Sequence, residues 1–557
     1  MLKKALKLYF QNNINWIFVV LIGSIAWCLT IVKSGWRYEF GYGFWGANGY
    51  DGIWHISLIN NMSNFNFENP VFAGELIKNY HVGFDLLLGI INRITNIPAS
   101  ILYFQILPVI LSLSIGLLTY KFVFEWTNSK KSAIYSTMFT YFGGSMAWLL
   151  NKGESTFWSQ QAISTLVNPP YALSLVLILA GLILYRRKNY LSIIFFGLLI
   201  FIKVYSGLLI IGGLFVAGVY DYYKNKNKFT LKIFVGTLLL SFTLYVPFNL
   251  NSAGLIKWEP FWFLESMFAA GDRLIWPKMA EAMLSYKNQS VILKFGIAYG
   301  FAFTLFILGN FWTRLIFIKD LFKKVDSIKL ILLFAIIAGV TIPTFFVQSG
   351  TPWNTIQFMY YSLFFSGILS GITLSKTKSL FSLIIFIVTI PTTYISLTSM
   401  YVTNTPPAIV SKGEIEALNV LKNLKDDGGV VLTYPYDLAF GPVPLPNHIP
   451  LYKYATTSYV SAYSLKNLYF ERTNLEIMGY DWVGRRNNVE TFFTTLDISI
   501  AKAFLNDNNI KYLYLVKEMT PLSGELLKIG PADLGLTKIF ENKESIIYIY
   551  AKDFGSY

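Results

Sequence analysis

The sequence predicts an α-helical polytopic membrane protein, with about eleven transmembrane helices and a C-terminal α/β domain outside the membrane. Three observations predict it. Apolar residues make up 54% of the 557 and charged residues 14%, where soluble domains carry about 25% charged residues. Apolar runs long enough to span a bilayer recur along the first 400 residues. After residue 400 the pattern changes to short mixed segments, as in a domain with its own core.

The runs lie at 14–33, 99–120, 132–150, 169–185, 189–202, 205–222, 230–248, 290–311, 327–347, 355–374 and 379–399. The first follows a Lys-rich start, as a signal peptide would. It is longer than such a segment and no small-residue cleavage site follows, so it is read as an anchor. Basic residues set the orientation. Lys3, Lys4, Lys7, Lys130, Lys131, Arg186, Arg187, Lys224, Lys226, Lys228, Arg314, Lys319, Lys323, Lys324, Lys376 and Lys378 all fall on one side if the N-terminus is cytoplasmic. This positive-inside asymmetry puts the tail outside the cell. The net charge of +15 is mostly this topology signal and gives no reason to expect nucleic acid as a partner. The 36 Tyr and 14 Trp suit interfacial belts against membrane lipids. A single cysteine, Cys28, excludes an intrachain disulfide.

The expected division is a membrane domain at 1–400, with a long first outer loop at 34–98, and an extracytoplasmic α/β domain at 401–557. A second outer loop, 151–168, holds Glu154. A third, 249–289, is rich in Trp and Phe and reads as interfacial helices. In the tail, Gly413–Leu424, Arg485–Leu496 and Ile498–Asn506 read as helices. Gly429–Thr433 and Ile510–Val516 read as strands, and Leu536–Phe540 with Ser545–Ala551 as a hairpin.

The first loop concentrates acid–base groups. The chain has three histidines, and two stand here: Asp51 with His55, then His81 with Asp85. Each pair has i, i+4 spacing and would share one face if helical. Asp51 can act as a general base, or simply as a first-turn carboxylate. Asp85 can orient His81, or both can join Asp51 around Mg or Mn, which favour oxygen ligands. The metal ligands stay open, and zinc lacks nearby Cys or a third His. Lys203 interrupts an apolar run in Phe-Ile-Lys-Val-Tyr205, where it can meet a lipid phosphate or snorkel. Asn168 starts the fourth span, and Trp353, Asn354 and Gln357 cluster before the tenth. Arg485 is a candidate phosphate or sugar contact in the tail, equally explained by a solvated face. P-loop, GxSxG, HExxH and CxxC patterns are absent, which weighs against an ATPase, a serine hydrolase and a zinc protease.

The assembled pattern resembles GT-C glycosyltransferases, which use polyprenyl-phosphate-linked sugars. The likeness rests on Tyr-Asp51-Gly-Ile-Trp-His55, Asn-Tyr-His81-Val-Gly-Phe-Asp85, Asn168-Pro-Pro-Tyr, Lys203-Val-Tyr205, Pro352-Trp353-Asn354-Thr-Ile-Gln357 and the outer tail. It implies that Asp51 is the catalytic carboxylate, with His55, His81 and Asp85 tuning it or holding the acceptor. It implies a lipid-phosphate leaving group met by Lys203 or a divalent Mg or Mn. The donor it implies is a polyprenyl-phosphate sugar, and the acceptor a glycan, lipid or protein hydroxyl. Many relatives carry paired acids where this chain has Asp51 followed by Gly52 and Ile53. The rival readings are a lipid or solute transporter or flippase, and a non-catalytic GT-C-like scaffold.

Overall fold

The computed structural model describes residues 16–250, 255–425, 428–434, 449–454, 456–519 and 527–551. The basic residues Lys3, Lys4 and Lys7 lie outside them. Two compact units emerge: residues 1–30 with 107–403, and residues 31–106 with 404–557. The first outer loop is thus grouped with the tail, a different division from a single cut near residue 400.

In the first unit, among the described residues, seven helices are long and apolar enough to cross a membrane. They are Ala99–Thr127, whose first turns belong to the second unit, then Pro169–Arg186, Val204–Asn225, Phe229–Phe248, Ile292–Asp320, Ser327–Phe345 and Ser379–Tyr401. The apolar helices Trp16–Cys28 and Ser192–Ile202 are shorter. The run expected at 132–150 is helical only over Lys130–Phe142, because Gly143 and Gly144 follow and Ser145 caps a separate 3-10 turn. Gln357–Leu374 is buried along nearly its whole length. Close helix approach explains that burial. A Cβ on Gly371 would lie 2.3 Å from the backbone nitrogen of Ser136, so only glycine fits there. Ser136 Oγ then donates to the Ile368 carbonyl at 2.8 Å. The third outer loop contains helices Trp262–Ala269 and Pro277–Asn288, and a short strand, Ile256–Trp258, paired with Phe346–Gln348.

The second unit joins distant stretches of chain. Its first sheet runs β1 (Arg37–Tyr38), β2 (Gly41–Phe44), β3 (Ala408–Ser411) and β5 (Ile449–Pro450). Gly41 has φ +131°, and a Cβ there would meet the Val410 carbonyl oxygen at 2.0 Å, so the β2–β3 pairing requires glycine. The second sheet runs β4 (Val430–Thr433), β6 (Ile510–Val516), β8 (Ser545–Tyr550) and β7 (Leu536–Glu541). β4 and β6 pair parallel; β6–β8 and β8–β7 pair antiparallel. β6 is buried at every position except the half-buried Lys511, as an interior strand covered on both faces should be. Helices α1 (Asp51–Ser63) and α2 (Gly83–Thr95) come from the first outer loop. Helix α3 (Lys412–Asn423) begins with a capping box between Ser411 and Glu414.

Candidate functional site

A 3-10 turn over Gly46–Gly49 brings the chain to the start of α1, with Tyr50 as N-cap and Asp51 as the first helical residue. Asp51 is exposed, in the turn where a carboxylate meets unsatisfied backbone N–H groups. Ile53, Trp54, Leu58 and Met62 are buried against protein.

The pairing of the two histidines differs from the i, i+4 expectation. His81 precedes α2, which starts only at Gly83, so it shares no helical face with Asp85. It stacks instead on Tyr80, ring centroids 4.6 Å apart, and the Tyr80 hydroxyl accepts from Trp54 Nε1 at 3.0 Å. Asp85 pairs with His55 across the α1–α2 interface. His55 donates from Nδ1 to Asp85 Oδ1 at 2.7 Å. Asp85 is 0% and His55 8% exposed. A carboxylate on one ring nitrogen fixes the tautomer and leaves Nε2 as an acceptor.

Tyr103 completes this cluster and carries no motif in the sequence. Its ring lies over His55 with centroids 5.5 Å apart and planes 22° from parallel. It is within electrostatic reach of Asp51 and Asp85, and its buried hydroxyl has no hydrogen-bond partner among the described residues. Tyr103 sits in a π-helical turn, Leu102–Ile106, just before Pro108. Proline removes a helical N–H donor, and π-turns concentrate at functional positions. A Pro a few residues beyond an aromatic at the start of an apolar run was the available signal.

A polar strip in the membrane unit gathers at the start of Gln357–Leu374. Asn168 caps Pro169–Arg186 and donates from Nδ2 to Gln357 Oε1 at 3.4 Å. Gln357 in turn donates to Asn354 Oδ1 at 3.5 Å. Beside it, Tyr205 packs edge-on against Phe358 at 4.9 Å and donates to Gln348 Oε1 at 3.3 Å. Lys203 is buried at a backbone break, φ −158° and ψ 102°, between two apolar helices. Its ammonium lies 5.5 Å from the Tyr205 ring. Trp353 is exposed.

Glu154 and Arg485, both expected at the site, bond to protein groups. Glu154 is buried, accepting from the Gln161 backbone N–H at 3.1 Å and from the Ser164 hydroxyl. Burial pushes its carboxyl up to about 7 against these hydrogen bonds. Arg314, counted above with the inner-loop charges, is 1% exposed. It donates to Gln161 Oε1 at 2.7 Å and the Gly144 carbonyl at 3.1 Å. Arg485 donates to the carbonyls of Ala73 at 2.7 Å and Tyr469 at 3.1 Å, with its guanidinium 3.6 Å from the Phe72 ring. It ties the first outer loop to the tail. Among the described residues no three His, Cys, Asp or Glu side chains gather as metal ligands.

No family model and no curated protein matches the sequence. Solved structures do. The chain is similar to the Archaeoglobus fulgidus oligosaccharyltransferase AglB in complex with an inhibitory peptide and a dolichol-phosphate. Identity is 13% and the TM-score 0.50, over 98% of this chain and 75% of that one. An Archaeoglobus fulgidus oligosaccharyltransferase tethered with an acceptor peptide gives 15% identity and a TM-score of 0.51, again over 98% and 75%. The arabinofuranosyltransferase AftD from Mycobacteria gives 11% identity and a TM-score of 0.51, over 97% of this chain and 40% of that one. The fold is that of these membrane glycosyltransferases, the GT-C architecture that the sequence resembles.

Proposed function

We propose that the chain is a membrane glycosyltransferase. It transfers a sugar from a polyprenyl-phosphate donor to an acceptor hydroxyl at the outer membrane face, with inversion and with Asp51 as general base. The observation that carries this reading is the exposed Asp51 standing one helical turn before the buried His55–Asp85 pair. The fold adds to it, because the oligosaccharyltransferase sharing it was solved with a dolichol-phosphate and a peptide.

The acceptor oxygen attacks the anomeric carbon, and its proton passes to the Asp51 carboxylate. The bond from that carbon to the phosphate oxygen breaks, and the electron pair leaves with the polyprenyl phosphate. Lys203, beside Tyr205, neutralises lipid phosphate charge in the membrane unit. Asn168, Asn354, Gln357 and Trp353 bind the donor's polar end. His55, held by Asp85, accepts a hydrogen bond from the acceptor at Nε2, and His81 borders the acceptor. The chain crosses the membrane about eleven times, N-terminus inside and tail outside.

Arg314 is the observation that would favour a transporter, since intramembrane charge often marks a translocation path. Its hydrogen bonds to Gln161, Gly144 and Asn310 go to protein groups, so it reads as structural.

The test is transfer from a panel of labelled polyprenyl-phosphate sugars, with membrane extract as acceptor, with and without a chelator. Wild type and Asp51→Asn run side by side with vesicle uptake of the same sugars. Transfer lost in Asp51→Asn supports the enzyme, and the chelator arm reads any need for Mg or Mn. Uptake without transfer supports the transporter, and neither activity supports the scaffold.

A further inference from the structure

The second unit encloses a cavity of about 890 Å³ that includes none of Asp51, His55, His81 and Asp85. Ligand sites run roughly 300–1,000 Å³, so its size suits a bound molecule of several rings. One wall is the face of α1 bearing Ile56, Asn60 and Ser63, and another is α3. Pro98 to Ile101, where the long apolar helix begins, close a third side.

Its chemistry is specific. Eight asparagines line it, against four charged side chains, Arg37, Lys422, Lys466 and Glu68. Lys466 is already engaged, with its ammonium 3.4 Å from the Leu424 carbonyl and 5.3 Å from the Tyr512 ring. Some asparagines hold the walls: Asn60 donates to the Ala462 carbonyl at 2.9 Å, and Asn61 to Asn467 Oδ1 at 2.8 Å. Asn64, Asn96 and Asn419 are exposed on the lining. An amide offers a donor and an acceptor side by side, as a vicinal diol does.

Aromatic rings stand among these amides. Tyr42 and Tyr463 both line the cavity and stack at 5.0 Å, 19° from parallel. Trp36, also lining it, is 56% exposed. The Tyr463 hydroxyl is buried and has no hydrogen-bond partner among the described residues.

We propose that this cavity is a binding site for a neutral oligosaccharide, which docks there without reacting. The amides read its hydroxyl pairs, and Trp36 and the Tyr42–Tyr463 stack cover its apolar ring faces. An anionic glycan would need more unengaged cations than Arg37 and Lys422. The site goes beyond the transfer reading and does not depend on it, because binding is read without donor or turnover.

The experiment uses the full chain in lipid nanodiscs. The probes are maltohexaose, mannohexaose, chitohexaose and xylohexaose, with hexagalacturonate as the anionic control. Saturation-transfer NMR and calorimetry read binding. At least one neutral probe is expected to bind more tightly than hexagalacturonate. Asn419→Trp, an exposed helical position, fills the cavity and should abolish that binding. Trp36→Ala, at an exposed position on the lining, removes one ring face and should weaken it about fivefold. Thermal unfolding shows that both variants fold. Binding of no neutral probe overturns the proposal, as does preference for hexagalacturonate. Binding that the folded Asn419→Trp leaves unchanged overturns it too.

Discussion

Two buried acid–base clusters, one in each unit, have opposite designs. In the membrane unit, Glu154 and Arg314 meet only protein groups: backbone N–H and carbonyl groups, the Ser164 hydroxyl and the Gln161 amide. In the other unit, Asp85 is just as buried, but it holds a histidine one helical turn from an exposed carboxylate, Asp51. A closed cluster pins a loop, whereas an open one presents a reactive group while its support stays fixed. Burial of charge alone therefore does not mark a reactive site. On the transfer reading proposed above, the mark is a buried pair that supports an exposed group.

The contrast predicts different losses. Arg314→Met should destabilise the membrane unit by about 3–5 kcal/mol, since it leaves the Gln161 amide and the Gly144 and Asn310 carbonyls without their buried donor and removes the cation whose field reaches Glu154. Thermal unfolding in detergent reads this, and adding Glu154→Gln should recover part of the loss. A stable Arg314→Met protein that had lost only transfer would erase the distinction between the clusters. Next in size, Asp85→Ala should cost about 1.5–3 kcal/mol, as it removes the acceptor for His55. His81→Ala should cost less, about 0.5 kcal/mol, as His81 stands outside the helix and the stack it makes on Tyr80 is a partly exposed contact beside the buried His55–Asp85 pair. Equal effects at Asp85 and His81 would restore the i, i+4 pairing.

A separate effect is a pH slope in the tail. Glu471 is buried, and desolvation raises its carboxyl to about 8 although it accepts from the Val460 and Ser461 N–H groups. Its folded-state value lies above its unfolded one, so its proton stabilises the fold fully below about 4.5. That stabilisation is lost as pH rises through about 8. Glu471→Gln should flatten the fall in unfolding temperature across this window, and an unchanged slope would assign it to other groups.

The tail was the legible part. Ile510–Val516 and Ser545–Tyr550 are dense in β-branched and aromatic residues, and the strands fall there. The break at Lys203 was also legible, as a charge between two apolar runs. Contacts between distant segments were not. The β2–β3 pairing joins Gly41–Phe44 to Ala408–Ser411, and nothing local in Gly-Tyr-Gly-Phe names a partner that far along the chain. The His55–Asp85 pair was hidden for a related reason. Spacing pairs residues only within one helix, and α2 starts two residues after His81. Tyr103 stands among apolar neighbours and a π-turn leaves little periodic signal, so the nearby Pro108 was its faint trace in the sequence.

The central claim is that the Asp51 carboxylate takes the acceptor's proton. Its most direct test is single-turnover sugar transfer by wild type and Asp51→Asn, with unfolding temperature measured on the same preparations. The account predicts a rate lower by about 10²–10⁴-fold in Asp51→Asn, with an unfolding temperature close to that of wild type. An unchanged transfer rate in folded Asp51→Asn would contradict it and remove Asp51 from the chemistry.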